Sequence, residues 1–282
     1  MAHKPLKYKT TKDLNISKNI VDQIIGQDEA VTLSRKVAKQ RRHVLLIGEP
    51  GTGKSMIGLA LAELLPKEKL VDILSFPNIQ DENIPLIRVV PKGKGKEIVT
   101  KSKIQNIGYL RVQNIIFFIL IIFSLITPWW IRKEYGDILA AAALISSMLF
   151  IASFAIFLNL GRRIRQNEKT PIPKIIIDNS TEEKAPFLDA TGAHAGALLG
   201  DVLHDPLQSG GLGTPAYERL VPGMIHRANG GVLFIDEIAT LRPHSQQELL
   251  SAMQEKKHSI TGQSERSSGA MVRSEPVPCD FI

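Results

Sequence analysis

The chain has 282 residues, which is enough for one large or two ordinary domains, and its 44% hydrophobic and 22% charged content is ordinary globular composition. A single cysteine, Cys279, excludes an internal disulfide and fits a reducing cytosol. The net charge of +7 would suit a nucleic-acid-binding protein, but the Lys and Arg residues cluster around a long apolar block, which favours a membrane surface.

Residues 1–20 are predicted to be a loose leader. Its first part, residues 1–11, is polar and Lys-rich without an apolar core, so no cleavable signal peptide is expected. A helical pattern follows over residues 19–39, with an interruption at Gly26 and Gln27. A glycine at this position would let the backbone approach a nucleotide base. A simple helix break explains Gly26 equally well.

Residues 43–55 are the stretch around which the chain is organised. The apolar run 43–47 predicts a buried strand, and a helical pattern extends from Lys54 to about Leu65. Between them lies Gly48-x-x-x-x-Gly53-Lys54-Ser55, the P-loop pattern in its strand-loop-helix context. The alternative is a glycine-rich turn that binds no ligand.

The chemistry of phosphate binding explains the residues of this loop. Its glycines allow the backbone to curl so that N–H groups point at phosphate oxygens, and the helix N-terminus adds partial positive charge. Lys54 is predicted to bind the β- and γ-phosphates of ATP, and Ser55 to ligate Mg²⁺. The predicted nucleotide-binding residues are Gly48, Glu49, Pro50, Gly51, Thr52, Gly53, Lys54, Ser55 and Met56, together with Ile25 and Gly26.

Two uncharged apolar runs follow a pair of short predicted strands at residues 71–74 and 85–90. The first run has 17 residues (115–131) and the second has 23 (138–160). A bilayer core about 30 Å thick needs about 20 helical residues, so the runs predict a two-helix transmembrane hairpin that contacts the lipid bilayer. A buried helical hairpin in a large soluble core is the alternative.

The charges around the hairpin predict its orientation. Basic residues precede and follow the pair, whereas the short connection 132–137 has no net charge. By the positive-inside rule both flanks are cytoplasmic, which predicts a multi-pass cell-membrane protein with its soluble part on the cytoplasmic side. The flanking basic residues are Lys92, Lys94, Lys96, Lys101, Lys103, Arg111, Arg162, Arg163, Arg165, Lys169 and Lys174.

A second motif, residues 230–237 (Gly-Gly-Val-Leu-Phe-Ile-Asp-Glu), predicts a buried strand that ends in two carboxylates. Ligands of open α/β sheets bind at the carboxyl ends of such strands. Asp236 is predicted to hold the Mg²⁺ shell, and Glu237 to act as the general base on the attacking water. Many strands simply end in acids, but downstream of a P-loop these two complete one nucleotide-hydrolysis site with Lys54.

Together these motifs resemble the archaeal membrane-anchored Lon proteases of type B. The resemblance rests on Ile24-Ile-Gly-Gln27, the P-loop, the hairpin inserted between the P-loop and the Asp-Glu strand, and blocks at 189–194, 204–215, 225–229, 252–257, 260–264 and 276–281. It implies an α/β fold, a P-loop AAA+ parallel sheet flanked by helices and interrupted by the hairpin. It also implies a homohexameric ring that uses ATP and Mg²⁺ to thread unfolded protein substrates into a proteolytic chamber, with no nucleic acid required.

The resemblance also implies elements that this sequence does not contain. These are a sensor strand between the P-loop strand and the Asp-Glu strand, an arginine finger, a helical lid and a protease domain with a Ser–Lys dyad. We therefore expect an incomplete module, divided into an N-terminal segment (residues 1–111), the hairpin (residues 112–161) and the continuation of the module (residues 162–282).

Two further expectations concern activity. Loops facing a central channel are expected near residues 195–199, where Leu198 and Leu199 are either exposed or packed on the core, and within residues 262–271. The alternative function is a MoxR-like or chelatase-like chaperone ATPase without protease activity. A membrane scaffold that binds ATP without hydrolysing it is disfavoured by Lys54, Ser55, Asp236 and Glu237.

Overall fold

The computed structural model describes residue 10 and residues 16–66, 70–165, 171–203, 213–262 and 272–282, with the backbone alone at 106–114 and 161–165. The leader 1–9 and 11–15, the loop 204–212 and the expected channel loop at 263–271 lie outside the described residues. The chain divides into two compact units. Unit 1 comprises Met1–Lys96 and Pro173–Ile282, and unit 2 comprises Glu97–Ile172.

The elements of unit 1 alternate between helices and short strands. The first half contains a 3-10 turn (Ile20–Gln23), α1 (Asp28–Gln40), α2 (Lys54–Leu64), β1 (Val71–Phe76) and β2 (Leu86–Pro91). The second half contains β3 (Lys174–Ile177), β4 (Phe187–Asp189), α5 (Ala195–Leu199), β5 (Asp201–Val202), α6 (Ala216–Arg219), β6 (Leu220–Val221), α7 (Met224–Arg227), β7 (Val232–Phe234), a 3-10 turn (Ile238–Thr240), α8 (Pro243–Glu255), β8 (Lys257–Thr261) and β9 (Arg273–Pro278).

Strands β4 and β7 run parallel, with Phe187 opposite Val232 and Asp189 opposite Phe234. On the other side of β7 the chain end continues the ladder. The Ile282 N–H donates to the Gly231 carbonyl and the Leu233 N–H donates to the Ile282 carbonyl, both at 3.0 Å. The helix that follows the P-loop, α2, packs closely on this layer, since a Cβ at Gly58 would lie 2.9 Å from the Phe234 ring. These elements confirm the mixed α/β fold with a parallel sheet.

The prediction of a buried strand at 43–47 is wrong in this structure. The segment has no strand pairing, and Leu45 and Ile47 are 79% and 88% exposed. A strand needs a partner for its backbone N–H and C=O groups. Here Val44, Leu45 and Leu233 line the same open cleft, and the segment does not pair with β7. The apolar pattern alone therefore did not suffice to predict a strand, because a strand also needs a neighbouring strand to pair with.

A second sheet is antiparallel, in the order β2-β1-β3. Ile73 of β1 lies opposite Val89 and Ile177 and is fully buried. The hydrophobic core on which this sheet packs also contains Ile260 of β8 and Val277 of β9. The predicted strands at 71–74 and 85–90 are therefore confirmed, and β3 pairs with β1 on its other side.

A polar cluster lies at one end of β1, the central strand of this sheet. Asp72 is fully buried, and its carboxylate accepts the backbone N–H groups of Gly93 (2.7 Å), Gly95 (3.0 Å) and Asn179 (2.9 Å). Gly95 permits this approach, because a Cβ there would lie 3.0 Å from the Asp72 side chain. Around it, Lys96 forms an ion pair with Asp178 at 2.8 Å, which lowers the pKa of that carboxyl to about 2. We call these residues, with Asn179, the Asp72 clasp.

Unit 2 contains most of α3 (Lys94–Tyr135) and all of α4 (Asp137–Arg165). The helices extend into the predicted six-residue connection and leave Gly136 alone between them, at a φ of +91° that suits glycine. Phe117 stacks on Phe154 with ring centroids 6.4 Å apart. Ile115–Tyr135 and Asp137–Leu160 are long and apolar enough to span a membrane, with mean hydropathies of 2.1 and 2.3. In the most apolar stretch of each helix only 6% and 0% of the residues are buried, whereas the core helices of a soluble protein are mostly buried.

Candidate nucleotide-binding site

The P-loop is built on two glycines with positive φ. Gly51 has φ +82° and Gly53 has φ +84°, values that a residue with a Cβ adopts only at a cost. Gly53 is the N-cap of α2, so Lys54 and Ser55 occupy the first turn of an 11-residue helix. The first N–H groups of a helix have no partner within it. This geometry therefore leaves donors and partial positive charge where a phosphate can bind.

The Lys54 side chain folds back over the loop. Its ammonium donates hydrogen bonds to the carbonyls of Gly48 (2.9 Å) and Glu49 (3.0 Å). Thr52 closes the same turn, with its hydroxyl donating to the Glu49 carbonyl at 2.8 Å. The ammonium is thus held next to the curled backbone by neutral acceptors, which a phosphate oxygen can replace with a stronger, charged one.

Sequence reasoning missed the part played by Gln27. Its side-chain amide donates a hydrogen bond to the Thr52 carbonyl and so ties the segment before α1 to the P-loop. Gly26 beside it has φ +79°, and Ile25 is 92% exposed. The signal was present in the Ile24-Ile-Gly-Gln27 block, but nothing in the spacing indicated that a side chain of this block would contact the loop.

The second half of the site lies where β4 and β7 end. Asp236 and Glu237 are exposed, and within the described part of the chain neither carboxylate has a hydrogen bond or an ion pair. Glu237 has φ 55° and ψ 72°, a left-handed conformation that costs an ordinary residue about 1–2 kcal/mol. Both acids therefore keep their oxygens available, and one of them is held in a strained backbone.

One cleft of about 290 Å³ brings the two motifs together. Lys54, Asp236 and Glu237 all line it, with Ile57, Leu61 and Phe234 among its apolar walls. Ser55 does not line the cleft but follows Lys54 in the same helical turn. The structure thus joins three of the residues predicted to bind or hydrolyse ATP.

The donor set fits a magnesium ion. Mg²⁺ is bound by hard oxygen ligands, usually one or two carboxylates with waters and substrate phosphates. Asp236 and Ser55 supply a carboxylate and a hydroxyl. Among the described residues no group of three or more His, Cys, Asp or Glu side chains forms a separate metal cluster. A carboxylate and a hydroxyl are ligands of the kind that Mg²⁺ takes together with waters and substrate phosphates.

Of the two alternatives for Leu198 and Leu199, exposure or packing on the core, the structure shows packing on the core. Leu198 and Leu199 are 0% and 2% exposed and pack with Ile225 and Leu249 in a hydrophobic core. The small residues around them form the short helix α5, which lets both leucines reach the same core. This segment is a core element in the structure.

Two titratable groups outside the cleft are inert. Burial raises the pKa of the Cys279 thiol to about 12, so it is a small core residue and not a nucleophile. Burial lowers the pKa of His226 to about 4. The Gly223 N–H donates to its Nδ1 at 3.1 Å, and its Nε2 donates to the His258 carbonyl at 3.0 Å, which fixes one neutral tautomer.

Comparison with known proteins adds two family models. The one described as magnesium chelatase, subunit ChlI, matches residues 20–84, which include the P-loop. The one described as sigma-54 interaction domain matches residues 168–273, which include the Asp-Glu strand. Both are AAA-type models, so each half of the site matches the same class of ATPase domain.

Curated archaeal Lon proteases match nearly the whole chain. Identity is 53% to the protein of Methanothermobacter thermautotrophicus, 53% to that of Thermococcus kodakarensis and 52% to that of Archaeoglobus fulgidus, in each case over 98% of this chain. The matched region is 41–43% of each relative, so the chain spans about two fifths of their length. The chain is therefore homologous to the N-terminal part of archaeal Lon proteases.

Proposed function

We propose that this chain is the ATP-binding and ATP-hydrolysing part of a membrane-bound, ATP-dependent Lon-type serine protease. The observation that carries the proposal is the single cleft lined by Lys54, Asp236 and Glu237, at the carboxyl end of a parallel strand pair. The protease domain would correspond to the part of the relatives' length that this chain does not span. The 53% identity to archaeal Lon proteases supports the assignment to this class of ATPase.

In this proposal each residue has one role. Lys54 neutralises the β- and γ-phosphates, and Ser55 and Asp236 hold Mg²⁺, which supplies charge neutralisation on the phosphate oxygens. Glu237 accepts a proton from the attacking water. The remaining contacts to ATP come from Gly48, Glu49, Pro50, Gly51, Thr52, Gly53 and Met56, together with Ile25 and Gly26.

The apolar hairpin would anchor the protein in the cell membrane with two spanning helices. The two apolar helices support spanning, and the exposed Lys101 and Lys103 near the start of α3 support a cytoplasmic flank. We propose the limits 1–111, 112–161 and 162–282 for the three segments. The compact unit Glu97–Ile172 contains the whole of the proposed hairpin.

A homohexameric ring that unfolds and translocates protein substrates completes the proposal, with no role for nucleic acid. Its support is the similarity of the chain to archaeal Lon proteases. A remodelling ATPase without protease activity is the second candidate, favoured by the chelatase match over residues 20–84. ATP-dependent cleavage of an unfolded protein by the full-length protein would decide for the protease, and ATP turnover without cleavage would decide for the alternative.

A binding experiment tests the site directly. The chain in detergent should bind a fluorescent ATP analogue in a Mg²⁺-dependent manner, and Lys54→Ala should weaken binding by at least about tenfold, because the phosphate charge loses its partner. Lys39→Ala, on the exposed last turn of α1, is the matched control and should bind like wild type. Equal affinity of wild type and Lys54→Ala would contradict the assignment.

A further inference from the structure

Thr191 lies at the carboxyl end of β4, beside the Asp-Glu pair, and has no role in the site described so far. Its hydroxyl oxygen is 2.9 Å from the backbone nitrogen of Asp236. Strand register makes the contact possible, because Asp189 pairs with Phe234 and the Ala190 N–H donates to the Phe234 carbonyl at 2.8 Å. Thr191 therefore contacts the backbone of Asp236, two residues after Phe234, the last paired residue of β7.

The direction of the hydrogen bonds at Thr191 is determined by Asp189. The Asp189 carboxylate accepts the Thr191 hydroxyl at 2.6 Å and the Thr191 N–H at 3.0 Å. An ionised carboxylate can only accept, so the single hydroxyl proton goes to Asp189. The lone pairs of the hydroxyl are then left for the Asp236 N–H. Asp189 thus keeps Thr191 in the orientation that the contact with Asp236 requires.

A second threonine holds the chain on the other side of Glu237. Thr240 donates to the Glu237 carbonyl from both its backbone N–H and its hydroxyl, each at 2.9 Å. The left-handed residue Glu237 is therefore bracketed by Thr191 before it and Thr240 after it. Backbone strain of this kind persists only where the surroundings determine the conformation.

We propose that Thr191, oriented by Asp189, is a positioning residue that holds the Asp236–Glu237 backbone so that the Glu237 carboxylate faces the site of hydrolysis. The inference rests on the proposed ATPase function. It assigns no contact between Thr191 and the nucleotide. Thr191 is exposed, so water can replace its hydroxyl without unfolding the strand end. Loss of the hydroxyl should therefore change catalysis more than stability.

Thr191→Val tests this, because valine keeps the branched shape and removes the hydroxyl. In the full-length protein kcat for ATP should fall by about threefold to tenfold, the range of one net hydrogen bond, while Mg·ATP affinity stays within about twofold. Thr191→Ser should restore most of the turnover, since it keeps the hydroxyl. Thr32→Val removes a threonine hydroxyl bonded to Asp28 on the exposed face of α1 and should match wild type.

Wild-type turnover in Thr191→Val would overturn the proposal. The proposal would also be overturned if Thr191→Val lost Mg·ATP affinity and thermal stability along with turnover, because Thr191 would then be a structural residue. Failure of the wild-type protein to bind Mg·ATP would instead overturn the proposed function, and the two results are distinguished by measuring wild-type binding first.

Discussion

Carboxylates in two regions of unit 1 have opposite environments. In the Asp72 clasp, the carboxylate is fully buried and both of its oxygens accept backbone N–H groups. At the end of β7, Asp236 and Glu237 are exposed and their oxygens have no partner among the described residues. A carboxylate whose acceptors are saturated by the chain stabilises the fold, whereas one with free acceptors is available to a ligand. The comparison thus separates a carboxylate that the chain itself saturates from two carboxylates whose oxygens, within the described part of the chain, are free for a ligand.

The largest expected effect tests the functional side of this comparison. Glu237→Gln keeps the size of the side chain and removes the base, so turnover in the full-length protein should fall by about 10²–10⁴-fold. Because the carboxylate has no protein partner among the described residues, the free energy of unfolding and the ATP affinity should stay near wild type. ATP affinity, turnover and unfolding are measured on the same preparation. A marked loss of stability or of binding would show that Glu237 is a structural strand-end acid.

The structural side is tested by Asp72→Ala. Three backbone N–H groups lose their acceptor in a buried position, which should reduce the free energy of unfolding by about 3 kcal/mol. Cys279 is 1% exposed and is the single cysteine, so urea-dependent labelling with a thiol-reactive dye reports unfolding of unit 1. Asp236→Ala is the matched control and should unfold like wild type but lose Mg·ATP binding. If the two variants had equal free energies of unfolding, the contrast between a structural Asp72 and a ligand-binding Asp236 would be wrong.

The smallest effect concerns the exposed rim of the clasp. Lys96 lowers the pKa of Asp178 to about 2 from an ordinary value of 3.8, so the pair stabilises the fold above about pH 4. This contribution is lost as the pH falls from about 4 to about 2, where the carboxyl is protonated in the folded state too. Both side chains are partly exposed, so the effect should be under about 1 kcal/mol.

The measurement is the difference in urea midpoint between wild type and Asp178→Asn from pH 5 to pH 2. The difference should shrink across the acid window, because the variant has no carboxyl to titrate there. A difference that is constant with pH would mean that Asp178 acts through its shape and not through its charge.

Much of the site could be predicted because its determinants are local in sequence. Gly51, Gly53 and Lys54 are consecutive or nearly so, and their conformations depend on the absence of a Cβ and on a helix beginning at a known residue. The apolar runs that form α3 and α4 likewise depend only on composition and length. The strands at 71–74 and 85–90 formed as predicted because each has an adjacent partner in the chain.

Three features were decided by tertiary structure alone. The segment 43–47 has strand-like residues but remains unpaired, because a strand exists only beside another strand. The sequence allowed Leu198 and Leu199 to be exposed or buried. They are buried because they pack against apolar residues of α7 and α8. Asp72 and Thr191 look ordinary in sequence, because their hydrogen-bond partners are distant. The partners of Asp72 lie 21 to 107 residues away, and Asp236, the partner of Thr191, lies 45 residues away. The sequence by itself therefore determined the backbone of the P-loop and the two stretches that are apolar enough for a membrane. Only the folded chain decided which carboxylates are saturated, because hydrogen bonds between distant residues depend on the packing that brings them together.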